Sequence, residues 1–545
     1  MSRVTPNLRT SDRELFSYTS GRYLYNEQLR LAERHVEFNI EALRRVAAQS
    51  VGRDTVVHMR KLAEGGFNRV LLLTMNDGFE VIVKIPYSIA VPKQLTTESE
   101  VATLDFLRSN GIPVPRVYAW SSQAGNEVGC EYIIMEKATG KPLEDRWFNL
   151  TAKEQIRLVT SYAEIERKLF AFPFGSYGSI YYKDNLPQNL QGSLYASGTK
   201  DDDGDSQRFC IGPIADYMFW RGKRSQLEIN RGPWKHSRDY AYSAGVKERD
   251  WTSKYGKPQT NDFPHNDALE GEIAPQLYVD LLDKYLAMCP YLLPEDQAHP
   301  MNQPTMRHPD LNPTNIYVSD SCEVSCIIDW QHTTILPLLL AAGNPPLFEN
   351  PDPEPPKGYT KPTLPENYDS LTPDEKSQAD ELHRKQMLFY WYMIFNAKDN
   401  KPHFNALRYP MLMLIQHLVD RAGRPWTGNI VTLKGALLRV VNSWDALMSL
   451  RSQKAPCPVS FDPSDENDFY ELEENWFNCN ILVEHWRSRL DNLSQDGWLR
   501  NESFEKAQEL NKQLKEHWIG EAENEKDVLT VERYWPFQDH EETDC

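Results

Sequence analysis

Apolar residues alternate along Arg69-Val-Leu-Leu-Leu-Thr-Met75, a turn is spelled by Asn76-Asp77-Gly78, and Phe79-Glu-Val-Ile-Val-Lys84 runs back. A period of two on both sides of an Asp-Gly turn predicts an antiparallel hairpin. The second strand closes on Lys84, flanked by Val81, Ile82, Val83 and Ile85. A lysine in such an apolar run is costly to bury alone, so a partner carboxylate is expected. A helix follows, with Val101, Leu104 and Leu107 on one face and a stop at Asn110-Gly111. Another strand, Glu131-Tyr-Ile-Ile-Met135, runs into Glu136-Lys-Ala-Thr-Gly140.

Helical patterns then take over, opening with a Thr151-x-x-Glu154 capping box and a stripe at Leu158, Tyr162, Ile165 and Leu169. Three stretches interrupt them and read as insertions or connectors: acidic Ser197 to Gln207, polar and aromatic Trp220 to Pro264, and proline-dense Pro345 to Pro373. Amphipathic helices resume at Met411 to Val419 and Ala436 to Leu447, and a charged, mobile tail is expected after Phe537.

With 545 residues there is room for two to four domains or one large fold with insertions. The 78 acids against 60 bases give a net charge of −18, with no basic patch, which speaks against a nucleic-acid partner. The longest apolar stretch, Ile335 to Ala342, is far short of a membrane span. Eight scattered cysteines lack CxxC pairs and point to a reducing, intracellular setting. Arg3 and Arg9, ahead of the first acid at Asp12, weakly fit a transit peptide.

The most informative string is Arg307-His-Pro-Asp-Leu-Asn-Pro-Thr-Asn315, followed fourteen residues after Asn315 by Asp329 in Cys326-Ile-Ile-Asp329-Trp330. Phosphoryl transfer needs a carboxylate at the incoming hydroxyl and oxygen ligands that hold magnesium across the phosphates. Asp310 suits the first role, Asn315 and Asp329 the second, while His308 is better placed to brace the loop than to move protons. Loops rich in Asp, Asn and Pro also form plain turns. What favours the chemical reading is the order of the chain, with Lys84 upstream, a glycine pair before it and a helical acid after it.

Gly65-Gly66 could be no more than a tight turn, but one hairpin before a strand lysine those glycines let backbone N–H groups approach phosphate. Glu100 is the chosen partner for Lys84, yet Thr97-x-x-Glu100 also reads as a capping box, and Glu98 competes. Other features carry less. Asp201-Asp202-Asp203-Gly204 fails the spacing of a calcium loop, Cys322 and Cys326 are ordinary thiols, and Tyr217-Met-Phe-Trp220 is core or the wall of a pocket.

Gly65-Gly66-Phe67-Asn68, Val83-Lys84, Glu100-Val-Ala-Thr-Leu104, Val114-Pro115, Met135-Glu136, His308-Pro-Asp310 to Asn315 and Ile327-Ile-Asp329-Trp330 resemble the aminoglycoside phosphotransferase family, from about Val56 to Leu338. More narrowly, Phe16-Ser-Tyr-Thr-Ser-Gly-Arg22, Gly178-Ser179, Arg231-Gly-Pro-Trp234 and Arg533-Tyr-Trp-Pro-Phe537 resemble a fungal group that includes the altered inheritance of mitochondria proteins. The resemblance implies an α+β, protein-kinase-like fold of two lobes, with ATP and Mg2+ as cofactors and a small-molecule hydroxyl as acceptor. It implies that Gly65, Gly66, Phe67, Asn68, Lys84 and Glu100 hold nucleotide, with Glu136 to Ala138 offering backbone hydrogen bonds to adenine, and it implies a mitochondrial location.

Two departures stand out. The loop is Gly65-Gly66-Phe67-Asn68-Arg69, without the GxGxxG of protein kinases, and Pro309 replaces a common Gly. The chain then divides into an extension with a helix (1–55), a nucleotide lobe (56–140), a catalytic lobe with insertions (141–344), a Pro-rich connector (345–375) and a helical C-terminal part with tail (376–545). A rival reading keeps the fold and the ATP but makes the chain a non-catalytic regulatory or scaffold protein.

Overall fold

The computed structural model describes residues 13–352, 358 and 360–542; Arg3, Arg9, Cys545 and residues 353–357 and 359 of the connector lie outside them. The N-terminal extension carries β1 (Arg22–Tyr23), α1 (Glu27–Glu33) and α2 (Ile40–Ser50). The N-terminal lobe is an antiparallel five-stranded sheet of β2 (Val56–Glu64), β3 (Asn68–Met75), β4 (Glu80–Pro86), β5 (Val117–Ser121) and β6 (Tyr132–Glu136), with α3 (Leu95–Ser109) packed on it. The strand order is β2-β3-β4-β6-β5. The expected hairpin forms where the residues demand it: Gly78 takes φ +85, which its neighbours could adopt only at a cost, and its N–H meets Met75 O at 3.0 Å. Val81, Val83 and Ile85 are fully buried, and burying each such side chain stabilises the lobe by about 1.5–3 kcal/mol. Their neighbour Lys84 points to the opposite face, facing Val70 on one strand and Ile133 on the other.

Past β7 (Lys141–Pro142) the C-terminal lobe is mainly helical. Its core gathers α4 (Ala152–Ala171), β8 (Ser179–Tyr182), β9 (Phe209–Gly212), α5 (Ser237–Tyr255) and α6 (Pro275–Leu292). Two short pairings set the chemistry on this lobe. In one, β10 (Pro304–Met306) pairs antiparallel with β13 (Ile335–Pro337), and in the other β11 (Ile316–Val318) pairs with β12 (Val324–Ile327). The long helices α7 (Pro373–Asp399), α8 (Lys401–Leu407), α9 (Leu412–Ala422) and α10 (Val431–Asn442) complete the lobe. Beyond α11 (Trp444–Ser449) and α12 (Pro463–Arg489), β14 (Trp498–Leu499) pairs with β1, so the N-terminal extension meets the C-terminal part of the chain. Two last helices, α13 (Asn501–Gly520) and α14 (Glu525–Tyr534), follow.

Three expectations change. The segment Trp220 to Pro264 is no simple insertion, because it contains the 19-residue helix α5. That helix buries mostly small and polar residues, among them Ser237, Ala241, Ala244, Gly245, Lys247 and Glu248, with Trp251 as its large apolar member and no aliphatic period to announce it. Gly245 is required there, since a Cβ would lie 2.5 Å from the Tyr285 ring. The helix expected at Ala436 to Leu447 is two helices, broken at Ser443. The tail after Phe537 is tied down as far as the described residues run: Asn26 donates its N–H to Asp539 at 2.5 Å, and His540 donates to Asn26 at 3.0 Å. The α+β, two-lobed reading itself holds. Seven described cysteines are unpaired, and no described helix is long and apolar enough to cross a membrane.

Candidate functional site

Lys84 meets its partner between the lobes. Its Nζ lies 2.7 and 2.9 Å from the two carboxylate oxygens of Glu100 and 2.6 Å from Asp329 Oδ1. The capping reading of Glu100 fails because α3 begins two residues before Thr97, whose hydroxyl is spent on Glu131 at 2.7 Å. Glu98, the competitor, instead accepts from Ser122 at 2.7 Å. Burial opposes the charge on Lys84, but Asp329 and Glu100 outweigh it and raise its pKa, so the ammonium is retained. Burial also pushes Asp329 upward, and Lys84 more than reverses this, holding the carboxyl below its ordinary value. Asp329 keeps 42% of its side chain exposed to the cleft. Its φ of +63 is a strained conformation for a residue other than Gly, of the kind that concentrates at functional positions.

The loop from Arg307 to Asn315 is zipped to the segment before Asp329. His308 Nε2 donates to Ile328 O at 2.9 Å, and Ile328 N–H donates to Asn315 O at 3.0 Å. His308 Nδ1 then accepts the N–H of Asp310 at 3.1 Å, so both ring nitrogens are committed. Burial lowers the pKa of this imidazole, which is neutral and braces the loop. Asn315 donates Nδ2 to Asp310 O at 2.8 Å, and its Oδ1 takes no hydrogen bond among the described residues. Asp310 is exposed, and among the described residues its carboxylate accepts only from Asn312, at 2.9 Å. Asn312 went unnoticed in the sequence, although Asn-Pro-Thr is a readable helix cap; its Oδ1 accepts the N–H of Thr314 at 2.9 Å. Hard oxygens from Asn315 and Asp329, brought together by these bonds, match the donor set magnesium prefers.

The glycine loop joins β2 to β3. Gly65 N–H is spent on Asn68 O at 2.9 Å, leaving the N–H groups of Gly66 and Phe67 without partners among the described residues. Asn68 departs from a simple phosphate contact: its buried side chain donates to Gln331 Oε1 at 2.5 Å. Phe67 packs its ring against Tyr217, tilted at 5.0 Å, and edge-to-face against His332 at 5.3 Å. Thus residues 67 and 68 tie the loop to the segment just past Asp329, through Gln331 and His332, which no spacing in the sequence marks. At the far side, Glu136 donates its N–H to Arg116 O at 2.8 Å and cannot offer it to a base, whereas neither backbone group of Ala138 has a partner among the described residues. Neither Gly65 nor Gly66 has a left-handed backbone, and nothing lies within 4 Å of a Cβ added at Gly66. Gly66→Val is therefore expected to shift stability by no more than about 0.5 kcal/mol while weakening nucleotide binding. A thermal melt beside an ATP titration checks this.

A cavity of about 300 Å³ lies next to this segment, walled by Asp216, Met218, Phe219, Tyr240 and Leu336. Ala215, the residue before Asp216 in its wall, has its carbonyl 2.7 Å from His332 Nδ1. Of the aromatic string, Phe219 is core and also lines this cavity, while Tyr217 faces the glycine loop.

A subtelomeric hrmA-associated cluster protein of Aspergillus fumigatus is 33% identical, over 90% of this chain and 98% of its own. Altered inheritance of mitochondria protein 9, mitochondrial, of Candida tropicalis is 25% identical, over 84% of this chain and 81% of its own. Among solved structures, a thermostable mutant of the aminoglycoside phosphotransferase APH(4)-Ia, in a ternary complex with ADP and hygromycin B, aligns with a TM-score of 0.35 at 13% identity, over 76% of this chain and 100% of that one. The model of the phosphotransferase enzyme family matches residues 58–340, just over half of the chain and the whole span from the first sheet strand through Lys84, Asp310 and Asp329, and the chain belongs to that family.

Proposed function

We propose that this protein transfers the γ-phosphoryl group of ATP to a hydroxyl of a small molecule. One observation carries the reading: Lys84 bridges Glu100 and Asp329 beside a loop whose backbone is fastened to the strand that delivers Asp329. Such a lysine, kept charged by two carboxylates, can turn to the α- and β-phosphates while Glu100 fixes its position. The N–H groups of Gly66 and Phe67, without partners among the described residues, would meet phosphate oxygens, and the backbone of Ala138 the adenine edge. Asp310 orients the acceptor hydroxyl and takes its proton as the new bond forms. Asn315 and Asp329 would hold magnesium, which when bound neutralises charge on the phosphates. The 300 Å³ cavity near Asp216 is at the lower end of ligand-pocket sizes and is our choice for the acceptor. By likeness to relatives whose names say mitochondrial, we place the protein in that compartment, which fractionation of tagged cells would check.

Isothermal titration with ATP, with and without magnesium, tests the site. Wild type should bind MgATP, and Asp329→Ala should lose the magnesium-dependent part of the affinity. A magnesium titration unchanged in Asp329→Ala would remove Asp329 from the metal, and no binding to folded wild type would remove the kinase-like reading.

A further inference from the structure

Behind Asp310 the loop begins at Arg307, and the guanidinium there reaches away from the cleft. Its Nη1 donates to Ala341 O at 3.2 Å, and its Nη2 donates to Glu166 Oε1 at 3.2 Å and to the Tyr392 hydroxyl at 3.3 Å. Glu166, on α4, is fully buried, and four groups converge on it: Arg307, the Tyr392 hydroxyl at 2.7 Å, the Tyr162 hydroxyl at 3.3 Å and His403 Nδ1 at 3.4 Å. Burial alone would push the Glu166 carboxyl up, yet His403 and Arg307 hold it at about 2, so the carboxylate is charged. His403, also fully buried, is fixed in turn by Asn396 Oδ1 at 3.0 Å and Gly343 O at 3.0 Å. Tyr392 and Asn396 belong to α7 and His403 to α8, and all three lie beyond residue 340, where the family match ends.

An ion network buried this deeply is a poor way to add stability, because well-packed apolar residues of the same volume commonly do as well or better. What it supplies is geometry. Arg307 is joined to Asp310 by two residues, one of them Pro309 with its fixed φ, so the guanidinium and His308 pin the loop from opposite sides. Among the described residues the Asp310 carboxylate has only Asn312 to steady it, so its position depends on the backbone that carries it. A misplacement of about 1 Å at a reacting group can cost roughly 10²-fold in rate.

We propose that Arg307 and Glu166, completed by Tyr392 and His403, are positioning residues for Asp310, so that the helices beyond residue 340 are part of the phosphoryl-transfer machinery. This rests on the phosphotransferase reading above. It predicts that the network sets the rate of transfer and leaves nucleotide binding alone.

The experiment compares wild type with the apolar pair Glu166→Leu/Arg307→Met and with Tyr392→Phe, the milder change. Three quantities are read on the full chain: MgATP affinity, melting temperature, and the rate of ATP turnover at saturating nucleotide. Both variants should hold affinity within about threefold. Turnover should fall by about 10- to 100-fold in the pair and by about 3- to 10-fold in Tyr392→Phe, with Arg307→Lys keeping more of it than the pair. Turnover unchanged beside a lowered melting temperature in Tyr392→Phe makes the network structural only and overturns the proposal, as does a loss of rate fully explained by lost MgATP affinity. Should the pair fail to fold, Tyr392→Phe and Arg307→Lys decide the matter alone. Wild type that binds MgATP but shows no turnover that Asp310→Asn can remove overturns the phosphotransferase reading itself, a result distinct from a variant that matches an active wild type.

Discussion

Replacing Asp310 by Asn is expected to leave MgATP affinity within a few-fold while phosphoryl transfer, or background hydrolysis of ATP, falls by about 10² to 10⁴. The split follows from where Asp310 stands. It makes no bond to Lys84, Glu100 or Asp329, and among the described residues its carboxylate is held only by Asn312, so nothing proposed to grip the phosphates is removed with it. An asparagine keeps the size of the side chain and its contact with Asn312 but cannot take a proton. Nucleotide titration beside turnover reads the two quantities separately. A scaffold that only senses ATP would work equally well with the amide in place of the carboxylate, so full complementation of a deletion strain by Asp310→Asn at normal expression favours that rival.

The second large effect is at Lys84. In Lys84→Met, Glu100 stays buried, at 3% exposure, with its counter-charge gone. Removing one partner of a buried pair costs about 3–5 kcal/mol, and nucleotide binding should be lost as well. The pH dependence gives this mutant a signature. Burial already raises the pKa of Glu100, and without Lys84 it rises further, so the folded mutant takes up a proton more readily than the unfolded chain. A group whose folded pKa is raised is fully stabilising below its unfolded pKa and loses that contribution as pH climbs through the folded one, so the mutant's deficit should shrink as pH falls from the raised pKa of Glu100 down to the ordinary carboxylate value, and stay constant below it. Lys84→Met/Glu100→Gln should regain most of the stability and none of the MgATP binding. Urea midpoints across pH check the first part, calorimetry the second. If the double variant binds MgATP normally, Lys84 does not hold phosphate.

Much of this site could be read from the chain because its parts are local. Lys84 announces itself by standing in an apolar strand, and Asp310 and Asn315 by their spacing in one loop. Glu100 was preferred to Glu98 in the sequence, and the structure separates them, with Glu100 on Lys84 and Glu98 on Ser122. The contacts that escaped notice are long-range and polar: Asn68 with Gln331, Phe67 with His332, Arg307 with Glu166 and Tyr392. None leaves a period or a motif, since each partner is an isolated residue on a different element. Helix α5 was hidden for another reason, as its buried face is built mostly from Ala, Ser, Gly, Thr and a Lys–Glu pair, and its one large apolar member, Trp251, makes no period on its own. The tail after Phe537 looked free because charged residues at a terminus usually are, and only the fold brings Asn26 within reach of it.

The central claim is that a γ-phosphoryl group leaves ATP for a small-molecule hydroxyl under the direction of Asp310. Incubating the protein with γ-labelled ATP, magnesium and a small-molecule cell extract, and separating the labelled products, tests it most directly. A new labelled compound that forms with wild type and is absent or at least about 10²-fold weaker with Asp310→Asn is the predicted result. Folded, MgATP-bound wild type that yields no labelled product and no hydrolysis, or equal labelling by both proteins, would contradict it.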